Sequence, residues 1–153
     1  MTSVPIRVFA AGTLLAGAAV VAGCATVEEA AVQATTTTYQ ANLTGAQEVG
    51  GGDPDGSARA EVSVAKNLDR VCYNVHDIQG IGAVAAAHIH QGEMGKNGPP
   101  VITLTQAPEG GFKGCTDAPE WLQDAMKANF TGYYVNLHTA AYPNGAIRGQ
   151  LGR

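Results

Sequence analysis

Tyr133-Tyr134-Val135-Asn136-Leu137-His138 is the stretch on which the fold turns. Successive side chains of a β-strand point to opposite faces, so residues i and i+2 share a side. Here that alternation places Tyr133, Val135 and Leu137 on one apolar face and Tyr134, Asn136 and His138 on the other. The first set reads as a core face, and His138 then points outward in polar company.

Similar short runs recur on either side, at intervals of about 10–15 residues. Residues 38–43, 58–65, 71–76, 84–90, 101–105 and 146–151 are the further strand candidates. Gly50-Gly51-Gly52-Asp53-Pro54-Asp55-Gly56, Lys66-Asn67-Leu68-Asp69, Gly80 with Gly82, and Tyr142-Pro143-Asn144-Gly145 punctuate them. This rhythm predicts an all-β, antiparallel domain, an Ig-like or Greek-key β-sandwich or a barrel. One segment breaks it. Residues 119–128 are rich in helix formers, with Pro119 suited to the first helical position. Trp121, Leu122, Ala125 and Met126 are expected to share a face of this helix, with Trp121 as a packing anchor.

The first residues do not read as part of the fold. Arg7 precedes an uncharged apolar run from Val8 to Val21. It falls short of the roughly 20 residues of a membrane span and suits a secretory signal. Val21-Ala22-Gly23-Cys24 resembles a bacterial lipoprotein lipobox. That resemblance implies cleavage before Cys24 and attachment of diacylglycerol to its sulfur, hence an anchored protein of the cell envelope. The expected organisation is a signal peptide over 1–23, a lipidated tether over 24–38 and one domain over 39–153. Removing Cys24 from the count leaves Cys72 and Cys115. In an oxidising compartment the pair is expected to form a disulfide, and no CxxC spacing supports a thiolate metal site.

The chain carries 9 basic and 13 acidic residues, net −4 with histidine neutral. Loss of Arg7 with the signal makes the remainder more acidic. It has no basic cluster, which argues against nucleic acid as a partner.

Of four histidines, His88 and His90 flank Ile89 in strand candidate 84–90, so both rings stand on one face. His138 is the candidate third ligand. Three neutral imidazoles with an open position suit Cu²⁺ or Zn²⁺; three uncommitted surface histidines are the competing reading. His76, in Val75-His76-Asp77, reads as a strand-end surface residue. Arg148 has two readings: an anion attractor beside a metal, or the partner of Glu48 in a structural ion pair. Gly92, Gly95 and Gly98 lack the helix and lysine of a phosphate loop and read as a long connection.

Four motifs in order carry a family resemblance. Leu43-Thr44-Gly45-Ala46-Gln47-Glu48-Val49 resembles the opening motif of the CHRD domain, the module repeated in chordin. Ala87-His88-Ile89-His90-Gln91-Gly92, with Gly95 and Gly98-Pro99, resembles its central motif. Tyr134-Val135-Asn136-Leu137-His138-Thr139 and residues 143–151 resemble its closing pair. Gly50-Gly51 replaces the usual prolines, and Ala146 a common acidic residue. The resemblance implies a β-sandwich and extracytoplasmic placement. A fainter similarity, to the copper half of Cu/Zn superoxide dismutases, implies His88, His90 and His138 as ligands with Arg148 beside the open position. There is no histidine placed to bridge a second metal and no zinc cluster. The leading expectation is a non-enzymatic, membrane-anchored module that binds copper or zinc. A metal-free interaction module with an envelope protein partner is the alternative, and a superoxide dismutase-like enzyme stands third.

Overall fold

The computed structural model describes residues 36–153. The expected signal peptide, Cys24 and the tether up to residue 35 lie outside them. Eight strands are described: β1 (Thr36–Thr44), β2 (Ser57–Ala65), β3 (Arg70–Gln79), β4 (Val84–Gln91), β5 (Pro100–Thr103), β6 (Phe112–Asp117), β7 (Tyr133–Thr139) and β8 (Ile147–Gln150). One helix, α1 (Glu120–Ala128), accompanies them. The all-β expectation with one short helix is met.

All eight strands belong to one sheet, in the order β5-β4-β7-β8-β1-β2-β3-β6. It has two halves of four strands. They meet at a narrow seam, the pair Thr44↔Arg148 and the bridge Gln40↔Gly152. The outer edges also approach each other, because the chain after β5 crosses to β3 and β6. Thr105 N–H donates to the Tyr73 hydroxyl at 3.0 Å, and Gln106 bridges Phe112. The sheet therefore curls almost into a barrel. A single core fills it, with Tyr39, Leu43, Val62 and Val64 from one half and Ile89, Val135, Leu137 and Ile147 from the other. The halves face each other as in a sandwich, but one hydrogen-bonded sheet carries both.

Period-2 patterning explains most of the strands. In β2, Ala58, Ala60, Val62 and Val64 are buried, while Ser57, Arg59 and Glu61 are exposed. β1 begins at Thr36, so Thr36, Thr37 and Thr38 are strand residues, paired with Ala65, Val64 and Ser63. β6 was not expected. It pairs with β3 and sets Cys115 directly across from Cys72, and the two form the expected disulfide.

The helix departs from its expected orientation. Pro119 precedes the first helical residue, and the buried side chains are Leu122, Gln123 and Met126. The Gln123 amide donates to the Ala118 carbonyl at 2.7 Å. The buried arc thus lies toward Gln123 and away from Trp121, which is 65% exposed and anchors nothing in the core.

Two register lines give the molecule its ends. Thr36 pairs with Ala65, Ala65 with Arg70 and Arg70 with Asp117, so the start of β1, the β2–β3 turn and the entry to α1 share one end. Thr44 pairs with Arg148, Arg148 with Asn136 and Asn136 with His88. The second line lies about 27 Å further along β1, at roughly 3.3–3.4 Å per residue.

Candidate metal centre

β4 and β7 are neighbours, with His138 opposite Ala86, Asn136 opposite His88 and Tyr134 opposite His90. All five polar side chains stand on the face away from Val135 and Leu137. His138 is therefore a diagonal neighbour of His88, within reach of a side chain. One ligand nitrogen from each of His88, His90 and His138 can be chosen so that all lie within 4.8 Å of one another. Nitrogens bound about 2.0–2.1 Å from one tetrahedral ion stand roughly 3.3–3.4 Å apart, so a small inward swing of the rings closes the set.

The hydrogen bonds say which nitrogens are free. His90 Nδ1 lies 2.8 Å from the Gly98 carbonyl, and His138 Nδ1 lies 3.0 Å from that of Pro143. A carbonyl only accepts, so both Nδ1 atoms carry the proton, and each neutral ring keeps its lone pair on Nε2. His90 Nε2 and His138 Nε2 are buried without a partner, as is His88 Nδ1. Buried polar atoms are nearly always paired, so three orphaned ring nitrogens in one cluster require an explanation. Burial, then the charges of His138 and His90, holds His88 below its usual pKa. For His90, burial outweighs the bond to Gly98, with His138 and Arg148 lowering it further. Both therefore favour the neutral, ligand-competent form.

The outward face is not the open surface that alternation suggests. Tyr134 and Asn136 are as buried as the core side of β7. The connection over residues 92–99 folds back over this face, and Arg148 secures it. Its guanidinium donates to the carbonyls of Lys96 (3.0 Å) and Glu93 (2.9 Å) and to Gln150 Oε1 (3.0 Å). It also lies 3.4 Å from the centroid of Tyr134, and that ring stacks on His90 at 4.9 Å. Gln150 Nε2 adds a 2.7 Å bond to the Gly92 carbonyl. Gly98 is required by close approach, since a Cβ there would fall 1.6 Å from the Gln91 carbonyl oxygen.

Arg148 and Glu48 thus take places that neither reading of the sequence anticipated. The ion pairs among the described residues do not include a direct Glu48–Arg148 bridge. Arg148, 1% exposed, is occupied by the loop carbonyls. Glu48 instead accepts a hydrogen bond from the Asn136 amide, and its carboxylate packs against Gly145. The two charges interact only at longer range. Burial pushes the Glu48 carboxyl up to about 7, against the lowering effects of Arg148 and Asn136. Nor does Arg148 stand free beside an open coordination position, because Tyr134, on the strand between, carries its guanidinium. The sequence offered no sign of the Gly98 and Pro143 carbonyls, which are backbone groups. His76 lies apart, 3.2 Å from Asp77.

An all-β domain with a three-histidine cluster under a clamped loop is the class that fold and site define. The family model for the CHRD domain matches residues 39–151. The chain belongs to the CHRD domain family. No curated protein matches it, and no solved structure does.

Proposed function

We propose that this chain is a lipid-anchored, extracytoplasmic CHRD-domain module that binds one transition-metal ion, copper or zinc, through His88, His90 and His138. The observation that carries the reading is the set of three buried, unpartnered ring nitrogens, two of them on rings whose other nitrogen is fixed by a backbone carbonyl. Outer-shell bonds of this kind fix tautomer and orientation in metal-ligating histidines. The donor set fits: three neutral imidazoles and no thiolate suit Cu²⁺ or Zn²⁺. An ion held there would supply Lewis acidity and an exchangeable position. The chain's own residues fix the rings, restrict water and keep two of the imidazoles neutral. The apolar run Val8 to Val21 and the lipobox-like Val21-Ala22-Gly23-Cys24 support the anchor and the envelope location.

Arg148 does not favour the superoxide dismutase-like reading, because its guanidinium already serves three oxygens and a ring. The function supported best is therefore binding without turnover. Calorimetric titration of the full chain with Cu²⁺ and Zn²⁺, with EPR of the copper form, tests it. One ion per chain is expected, with nitrogen hyperfine structure from imidazole. Unchanged affinity in a His88→Ala/His90→Ala double variant would remove the proposal.

A further inference from the structure

Two of the largest exposed apolar side chains sit at the same end of the molecule. Trp121 is 65% exposed and Leu68 50% exposed, whereas the other two large exposed apolar side chains among the described residues, Met94 and Val49, stand apart from each other in the 92–99 connection and after β1. Ala118 N–H donates to the Asp69 carbonyl at 2.9 Å, so the β2–β3 turn and the entry to α1 are fastened together. Leu68 precedes that bond by one residue, and Trp121 follows it by three. Residues before Thr36 join the fold here too, since Thr36 pairs with Ala65 just ahead of the turn. Among those residues are the apolar run and Cys24, twelve positions before Thr36. Even a fully extended chain of that length reaches only about 40 Å. A lipid on Cys24 therefore attaches at this end and keeps the domain within about 40 Å of a bilayer, and the apolar side chains of this end decide which way it faces.

We propose that the α1 end of the domain rests on the phospholipid bilayer, with Trp121 and Leu68 in its interfacial layer and the three-histidine centre turned away from it. The inference rests on the lipid-anchored reading above and adds an orientation to it. Tryptophan suits this layer, because its ring is apolar and its N–H finds polar partners there. Two side chains would hold a free domain only weakly. A short covalent tether changes that, because it makes docking intramolecular at a high effective concentration. The charges at this end are mixed: Asp69, Asp117, Glu120 and Asp124 stand with Arg70 and Lys127, and Arg70 pairs with Asp117 at 3.6 Å. Apolar insertion, not attraction to anionic lipid, is thus the contact. The histidine centre then lies about 27 Å further from the surface along β1, open to metal ions and partners in the aqueous phase.

Trp121 is the only tryptophan of the chain, so its fluorescence reports this end alone. The full chain, isolated from envelopes, is reconstituted in zwitterionic vesicles with and without lipids brominated near the headgroup. Blue-shifted emission, quenching by the brominated lipid and loss of quenching by aqueous iodide are expected, unchanged when anionic lipid is added. Mass spectrometry of the same sample reads acylation of Cys24 separately. An acylated chain whose Trp121 is quenched by iodide and not by bromine overturns the orientation while the anchor stands, and points to a protein as the occupant of this end. An unacylated chain without bromine quenching overturns both.

Discussion

Glu48 is a half-buried carboxyl whose titration is strongly shifted by its surroundings. Its folded carboxyl titrates near 7, raised chiefly by burial, whereas an unfolded glutamate titrates near 4.3. Between those values the folded chain holds a proton that the unfolded chain has released, so this group's contribution to stability falls as pH rises from about 4.3 to 7. His88 and His90, held low by burial, act in the opposite sense and lose stability as pH falls below about 6.5. Comparing metal-free wild type with Glu48→Gln isolates the carboxyl. The variant is expected to gain relative stability from pH 5 to pH 8 in urea midpoints, and a constant difference across that range would refute the assignment. Arg148 makes a second prediction. Arg148→Met leaves the Glu93 and Lys96 carbonyls without their donor and is expected to cost about 2–4 kcal/mol. A loss below about 0.5 kcal/mol, the range of an ordinary surface change, would mean that the loop is held without it. The histidines were legible in the sequence because a period of two assigns faces without tertiary knowledge. Arg148 was legible as important but not as a clamp. Its partners are backbone carbonyls some fifty residues away, and carbonyls carry no sequence signal.

Among the elements, the connection over residues 92–99 matters most to the candidate site, because its Gly98 carbonyl orients His90. Gly98→Ala cannot be accommodated in place, with its Cβ at 1.6 Å from the Gln91 oxygen, so the loop must shift and the carbonyl with it. Loss of such an outer-shell partner is expected to weaken metal binding by roughly 10–100-fold, read by competition with a chelator of known affinity. Wild-type affinity in that variant would show that His90 needs no such support. β6 depends on a different constraint. It lies at the sheet edge, paired with β3 and otherwise held only by the isolated bridge from Gln106 to Phe112, and the Cys72–Cys115 bridge closes a separation of 43 residues. A Cys72→Ala/Cys115→Ala variant is expected to lose on the order of 3–4 kcal/mol by the chain-entropy argument. Denaturation midpoints of the oxidised and reduced wild type should bracket the same loss. That strand was hidden in the sequence because Phe112-Lys113-Gly114-Cys115-Thr116-Asp117 has one large apolar residue and a central glycine. α1 was visible, but its rotation was not, since Gln123, which apolar patterning assigns to solvent, is buried with its amide on the Ala118 carbonyl.

For the whole molecule, the question is whether the two halves of the sheet respond as one body. The histidine centre belongs to one half, β5-β4-β7-β8, while α1 enters from β6 and packs beside β2 in the other. Backbone pairing between them is one residue pair and one isolated bridge at the β1–β8 seam, with the Gln106–Phe112 bridge at the outer edges, too little to couple them through backbone bonds alone. Coupling must come from the shared core, where Leu122 and Met126 of α1 join Ile89, Val135 and Leu137 in one apolar cluster. An ion that binds only the folded chain stabilises it by about 2.7 kcal/mol at a hundred times its Kd, on the order of 10 °C in Tm for a domain of this size. Trp121 sits at the far end from the histidines and detects that shift only if the core unfolds cooperatively. Thermal unfolding of the full chain followed by Trp121 fluorescence and by the copper absorption band should give a single coincident transition that moves up with metal. A Trp121 midpoint indifferent to metal while the copper signal shifts would separate the halves into independent units. The continuous sheet would then be a geometric fact without energetic consequence.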